Sequence, residues 1–67
     1  MKRRELIRHL GRHGCCLLRE GARHSVWVNP DTGHKEAVPR HAEVDEFLAR
    51  KICRALSVAD PWGAEDR

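Results

Sequence analysis

Sixty-seven residues hold one small domain, and a chain of that size buries only about 60% of its unfolded surface. Leu, Ile, Val and Phe together make 14 of the 67 residues, so the core is thin and a large barrel or doubly wound sheet is excluded. Thirteen Lys and Arg against ten Asp and Glu give a net charge of +3, and no apolar run approaches the roughly 20 residues that cross a bilayer. The start, Met1-Lys2-Arg3-Arg4-Glu5, is basic but leads into no apolar stretch of signal-peptide length. The expected setting is the cytoplasm, with no membrane contact.

Lys2 to His13 predicts a helix. Leu6, Ile7 and Leu10 share one face, while Arg4, Arg8 and Arg12 recur at i, i+4 and i+8 on the other. Gly14 suits the residue after the helix end. Cys15 to Arg19 is an apolar run bounded by Gly14 and Gly21, which predicts a buried strand. After a short Gly-containing connection, His24-Ser25-Val26-Trp27-Val28 is β-branched and aromatic and predicts a second strand. Asn29-Pro30-Asp31-Thr32-Gly33 has turn chemistry, with Pro presetting φ and Gly supplying a positive φ. His34 to Val38 predicts a third strand, ended by Pro39. Connections this short force an antiparallel meander.

The last element is a helix from about Asp45 to Leu56. Asp45 is its expected N-cap, and Phe47, Leu48, Ile52, Ala55 and Leu56 form the expected apolar stripe. The order is therefore α-β-β-β-α, an α+β domain. Both helices must cover the same face of the sheet, because nothing else is available to bury it. That is the architecture of a double-stranded-RNA-binding domain.

Three cysteines are an odd number, without the C-x-x-C spacing of a zinc site. Cys15, Cys16 and Cys53 are expected as small core hydrophobes. His9 and His13 stand at i, i+4 on the first helix, but two ligands without a third make surface residues rather than a metal site. No metal and no small-molecule cofactor are expected. His34 follows a turn and is expected in solvent. His41 either lines a site or caps the approach to the second helix, and the structural role is the expected one.

Charge is unevenly spread. Through His41 there are nine basic and four acidic residues, +5; from Ala42 onward there are four basic and six acidic, −2. Ten of the 13 basic residues are Arg, whose planar fork of donors matches phosphate better than Lys does. A basic first half is expected to meet a polyphosphate such as RNA. RNA carries its own nucleophile, the 2′-hydroxyl. Cleavage therefore needs only proton transfer and cations around the phosphoryl oxygens. His24, opening a strand beside Arg23, fits the first role, and Arg23 fits the second. Lys2, Arg3, Arg4, Arg8 and Arg12 are candidates for holding neighbouring phosphates. On spacing alone a strand-end histidine is more often polar surface. No Ser-His-acid order, clustered acids or Gly-rich phosphate loop competes.

The segments Arg4-Glu5-Leu6-Ile7 and His13-Gly14, then Leu17-Leu18-Arg19-Glu20-Gly21 leading to His24, then Val38-Pro39-Arg40-His41, occur here in one order and spacing. In this the chain resembles the HicA family of toxins from prokaryotic toxin–antitoxin systems, over Met1 to about Val58. The resemblance implies a double-stranded-RNA-binding-domain-like fold and endoribonuclease activity on messenger RNA. It also implies a HicB-type antitoxin that covers and silences the toxin. It makes His24 the active histidine, which the family presents after Gly-Ser or Gly-Asn. The chain departs there: it reads Gly21-Ala22-Arg23-His24, and Arg23 either aids phosphate binding or disturbs the histidine's orientation. Most members also carry an aromatic residue where Cys15 or Cys16 stands, which implies looser packing under the first strand. Residues 59–67 lie outside the resemblance and are expected to form a flexible tail after a 1–58 domain. The expected function is a toxin that cleaves mRNA by metal-independent, His-assisted transesterification. The alternatives are a non-catalytic double-stranded-RNA-binding module and a purely protein-binding subunit.

Overall fold

In the computed structural model, which describes residues 1–62, α1 spans Arg3–Arg12, β1 Cys16–Glu20, β2 His24–Val28, β3 Lys35–Pro39 and α2 Glu46–Ala55. The strands form one antiparallel sheet in the order β1-β2-β3. No described helix is long and apolar enough to cross a membrane.

Each helix is closed by the same hydrogen-bond pattern. After α1, Gly14 N donates to Gly11 O at 3.1 Å and Cys15 N to Leu10 O at 3.0 Å, with Gly14 at φ +88°. After α2, Ser57 N donates to Arg54 O at 3.0 Å and Val58 N to Cys53 O at 2.8 Å, with Ser57 at φ 59°. Both are Schellman motifs, in which a left-handed residue turns the chain back so that the next residue packs on the last turn. The packing partners are buried in both cases: Cys15 with Leu10, and Val58 with Cys53. Glycine fills the left-handed position at the first helix and serine at the second. The α2 N-terminus is capped as expected: Asp45 Oδ2 accepts from Phe47 N at 3.0 Å and Leu48 N at 3.3 Å. α1 lacks a side-chain cap, and its first donor is satisfied by the segment before α2, through Arg3 N to Ala42 O at 2.8 Å.

The core is Leu6 and Leu10 of α1, Cys15 just after it, Trp27 and Val38 of the sheet, Val44, Ala49, Ile52 and Cys53 of α2, its C-cap Leu56, and Val58. In β2, exposed His24 alternates with buried Ser25, and Trp27 is buried next on the same side, so one sheet face meets the helices and the other stays open.

Three expectations are corrected. Phe47 is 83% exposed, because the inward stripe runs through Ala49, Ile52, Cys53 and Leu56 at i, i+3, i+4 and i+7, which turns Phe47 outward. The run from Cys15 to Arg19 is not a buried strand. Cys15 alone is buried, as part of the helix closure, whereas β1 is an edge strand exposed at every position, with Leu17 and Leu18 about half exposed. Its register slips between Leu17, paired with Trp27, and Arg19, paired with Val26, so Leu18 is an extra residue in the strand. Cys16 accordingly lies exposed rather than in the core, while burial raises the Cys15 thiol and pushes Cys53 up to about 11, which keeps both protonated at neutral pH.

The β2–β3 turn is tied to α2 by Asn29. Its Oδ1 accepts from Asp31 N at 3.0 Å, and its Nδ2 donates to Leu56 O at 2.7 Å, satisfying one of the helix's end carbonyls. Beyond α2, Ala59–Trp62 return to both helices. His9 Nε2 bonds Ala59 O at 2.7 Å, Asp60 pairs with Arg50 at 3.2 Å, and the Arg50 guanidinium lies 5.1 Å from the Trp62 ring centre. Residues 63–67 of the expected tail lie outside the described residues.

Candidate functional site

β2 opens at His24 because the chain turns tightly just before it. Gly21 N donates to His24 O at 2.8 Å, and a Cβ on Gly21 would stand 2.8 Å from that same oxygen, so a larger residue would force the backbone to move. From the other side β3 fixes the strand: His24 pairs with Pro39, and Arg40 N donates to Arg23 O at 3.2 Å. The His24 side chain is thus carried on a strand held from both sides while remaining exposed. It lines an open cleft of about 500 Å³ together with Ala22, Arg23, Pro39, Arg40 and His41.

Beneath this cleft runs a chain of polar contacts. Arg3 Nε donates to Pro39 O at 2.7 Å and its Nη2 to Ser25 Oγ at 2.9 Å. Ser25 Oγ donates to Glu20 Oε1 at 2.6 Å, and Glu20 Oε2 receives the Arg40 guanidinium. Four residues from α1, β2, β1 and the end of β3 are thereby joined around His24. The Ser25 hydrogen bond, followed by Arg40, holds the Glu20 carboxyl below its ordinary range. Glu20 stays ionised and keeps Arg40 in place.

A second hollow of about 360 Å³ adjoins the first, lined by Lys2, Arg3, Arg4, Arg40 and Ala42. Arg40 borders both. Lys2, Arg3 and Arg4, from the start of α1, thus share Arg40 as a lining neighbour with Arg23 and His24. Arg3 is largely engaged inward, on Pro39 and Ser25, whereas Lys2 and Arg4 are exposed, with Lys2 3.8 Å from Glu43. Arg8 and Arg12 are exposed farther along α1 and line neither hollow. Neither lining contains a carboxylate, although Glu20 pairs with Arg40 and Glu43 with Lys2 from outside them. A larger hollow, about 670 Å³, lies instead along α2 between Asp45, Phe47, Leu48, Arg50, Lys51 and Arg54, and no histidine lines it.

The other histidines separate cleanly. His9 and His13 have ring centres 4.5 Å apart, and His9 anchors Ala59. No group of three His, Cys, Asp or Glu suited to a metal ion occurs among the described residues. His34 is exposed, with Nδ1 3.1 Å from Ser57 Oγ. His41 does not cap α2, a role that Asp45 fills, and it is exposed in the His24 cleft.

Arg40 and the Glu20–Ser25–Arg3 chain escaped the sequence reading. Arg40 had a signal, a cation directly after the strand that pairs with His24. The chain of contacts had none, because it depends on the β1 register beyond the extra residue Leu18.

The family model described as the HicA toxin of bacterial toxin–antitoxin systems matches residues 3–58. The chain belongs to this family. The matched span includes all five elements and, Lys2 excepted, every residue of the two clefts. No curated protein and no solved structure matches the chain. As a HicA-family toxin it is one half of a toxin–antitoxin pair, and the α-β-β-β-α fold agrees with what the resemblance implied.

Proposed function

We propose that this HicA-family toxin is an endoribonuclease that cleaves messenger RNA without a metal ion and is silenced by a HicB-type antitoxin. The observation that carries this reading is the position of His24: exposed, on a braced strand end, in a cleft with Arg23 and Arg40 and no carboxylate. An RNA strand along the two basic hollows sets a phosphate between these arginines with its 2′-hydroxyl towards the histidine. His24 is the proton-transfer group, and Arg23 and Arg40 hold the charge that builds on the phosphoryl oxygens. Lys2 and Arg4 take up neighbouring phosphates, and Arg3 supports the site from beneath. Arg8 and Arg12 serve more distant, weaker contacts. The antitoxin is expected to cover this cationic side of the molecule.

The test is His24→Ala assayed on RNA and in cells. Loss of both cleavage and growth inhibition in a protein that still unfolds cooperatively supports the nuclease; full toxicity in the variant sinks it. Cleavage by the unaltered protein should persist in EDTA. Tight binding that leaves RNA whole would instead favour a double-stranded-RNA-binding module, which this fold also accommodates.

A further inference from the structure

Transesterification at RNA moves two protons, one off the attacking oxygen and one onto the leaving oxygen. The entering and leaving groups of such a displacement stand roughly in line, on opposite sides of phosphorus. One side chain at one place serves both poorly, so a second proton-transfer group belongs across the phosphate. The cleft contains one. His41 lines it together with His24. His24 opens β2, and His41 lies just beyond the end of the neighbouring strand β3, two residues after Pro39, the cross-strand partner of His24. The Arg40 N to Arg23 O hydrogen bond fixes that approach. Both histidines are exposed, and among the described residues no hydrogen bond engages either ring.

Building on the nuclease reading above, we infer that His41 is a second catalytic residue, paired with His24 as acid and base across the scissile phosphate. One imidazole takes the proton from the 2′-hydroxyl as the 2′-oxygen bonds to phosphorus. The other gives its proton to the 5′-oxygen as the phosphorus–oxygen bond breaks. The products are a 2′,3′-cyclic phosphate and a 5′-hydroxyl, and solvent returns the two imidazoles to their starting states. Around the pair stand Arg23 and Arg40 in the cleft wall and Arg3 and Glu20 beneath it. Arg23 and Arg40 line the same cleft as the two imidazoles, which suits a site that handles an anion throughout.

The experiment compares the unaltered protein with His24→Gln and His41→Gln on two RNA oligonucleotides. One carries the natural linkage, and the other a 5′-bridging phosphorothiolate, whose thiolate leaves without being protonated. Each variant should lose about 10²- to 10⁴-fold in rate on the natural linkage, the usual contribution of one acid–base group. The pH–rate curve of the unaltered protein should be bell-shaped, and each variant should lose one limb. One variant alone, the one lacking the acid, should regain most of its rate on the thiolate substrate. Thermal unfolding of both variants separates loss of chemistry from loss of fold. If His41→Gln retains both limbs and the full rate while His24→Gln is inert, the pairing is wrong and the single-histidine nuclease stands. If loss of rate in His41→Gln leaves both limbs in place, His41 only positions RNA and the pairing is also wrong. If neither substitution slows cleavage, both histidine roles fall; if the unaltered protein leaves RNA whole, the nuclease reading itself falls.

Discussion

Arg3 Nη2 donates to Ser25 Oγ at 2.9 Å, one residue after His24 and on the opposite face of the strand. The contact links the first turn of α1 to the start of β2, and Ser25 passes it on to Glu20. Ser25 is wholly buried, so removing its hydroxyl leaves polar groups without partners. Ser25→Ala is expected to lower stability by about 1–2 kcal/mol. Because the strand end that carries His24 loosens, RNA cleavage should also fall, by roughly tenfold, the equivalent of about 1.4 kcal/mol in the barrier. Denaturant unfolding gives the first number and single-turnover cleavage the second. A variant as stable and as fast as the parent would show that the contact braces nothing.

The Glu20 carboxyl is held below its ordinary value in the folded protein, so its partners stabilise the fold only while it is ionised. Its contribution is present above the unfolded value of about 4.5 and is lost as pH falls through the lower folded value. Stability measured from pH 6 down to pH 2.5 should decline more steeply in the parent than in Glu20→Gln below about pH 4.5. Parallel curves would mean that other carboxylates govern the acid limb.

Ser57 holds a left-handed conformation at the end of α2 that side chains adopt at a cost of roughly 1 kcal/mol. Ser57→Gly removes that strain and should raise the denaturation midpoint by up to about 1 kcal/mol equivalent without altering the slope. The same helix gives the opposite expectation at its start. Asp45→Ala strips two amide donors of their acceptor and should cost about 1 kcal/mol.

Cations lining the two hollows and cations elsewhere on α1 should differ in how salt affects RNA binding. Arg23→Gln and Arg4→Gln should each weaken binding and reduce the slope of log K against log salt by about one. Arg12→Gln, which lies outside both hollows, should change the slope much less. Fluorescence anisotropy on a labelled oligonucleotide between 50 and 200 mM salt (a range of about fourfold) resolves the difference. Equal effects from all three would argue for diffuse attraction to the whole basic half.

The element order was legible because each helix carries its apolar residues at helical spacing and each strand lies between turn residues. Gly14, Gly33 and Asp45 adopt the roles that their chemistry dictates. Burial was less legible. Leu17 and Leu18 look like core in a linear reading, and only the strand order β1-β2-β3, which puts β1 at the edge, explains their exposure. Phe47 misled for a related reason, since hydrophobicity alone does not say which of two adjacent positions faces inward. At the site, His24 and Arg23 were legible from their place at a strand start. Arg40 and His41 needed the register that lays β3 alongside β2, which is a property of pairing and not of local sequence.

The two tryptophans sit in unlike surroundings, Trp27 in the core and Trp62 against Arg50 at the surface. They therefore act as separate optical reporters within one small domain. Emission from Trp27 should follow global unfolding. Trp62, which lies against the Arg50 guanidinium and donates its backbone N–H to Asp60 Oδ1 at 2.8 Å, should respond to release of the Ala59–Trp62 segment under milder conditions, where the core signal is unchanged. Comparing the parent with Trp62→Phe, in which Trp27 alone reports, times the lifting of that segment apart from the melting of the whole without an added label.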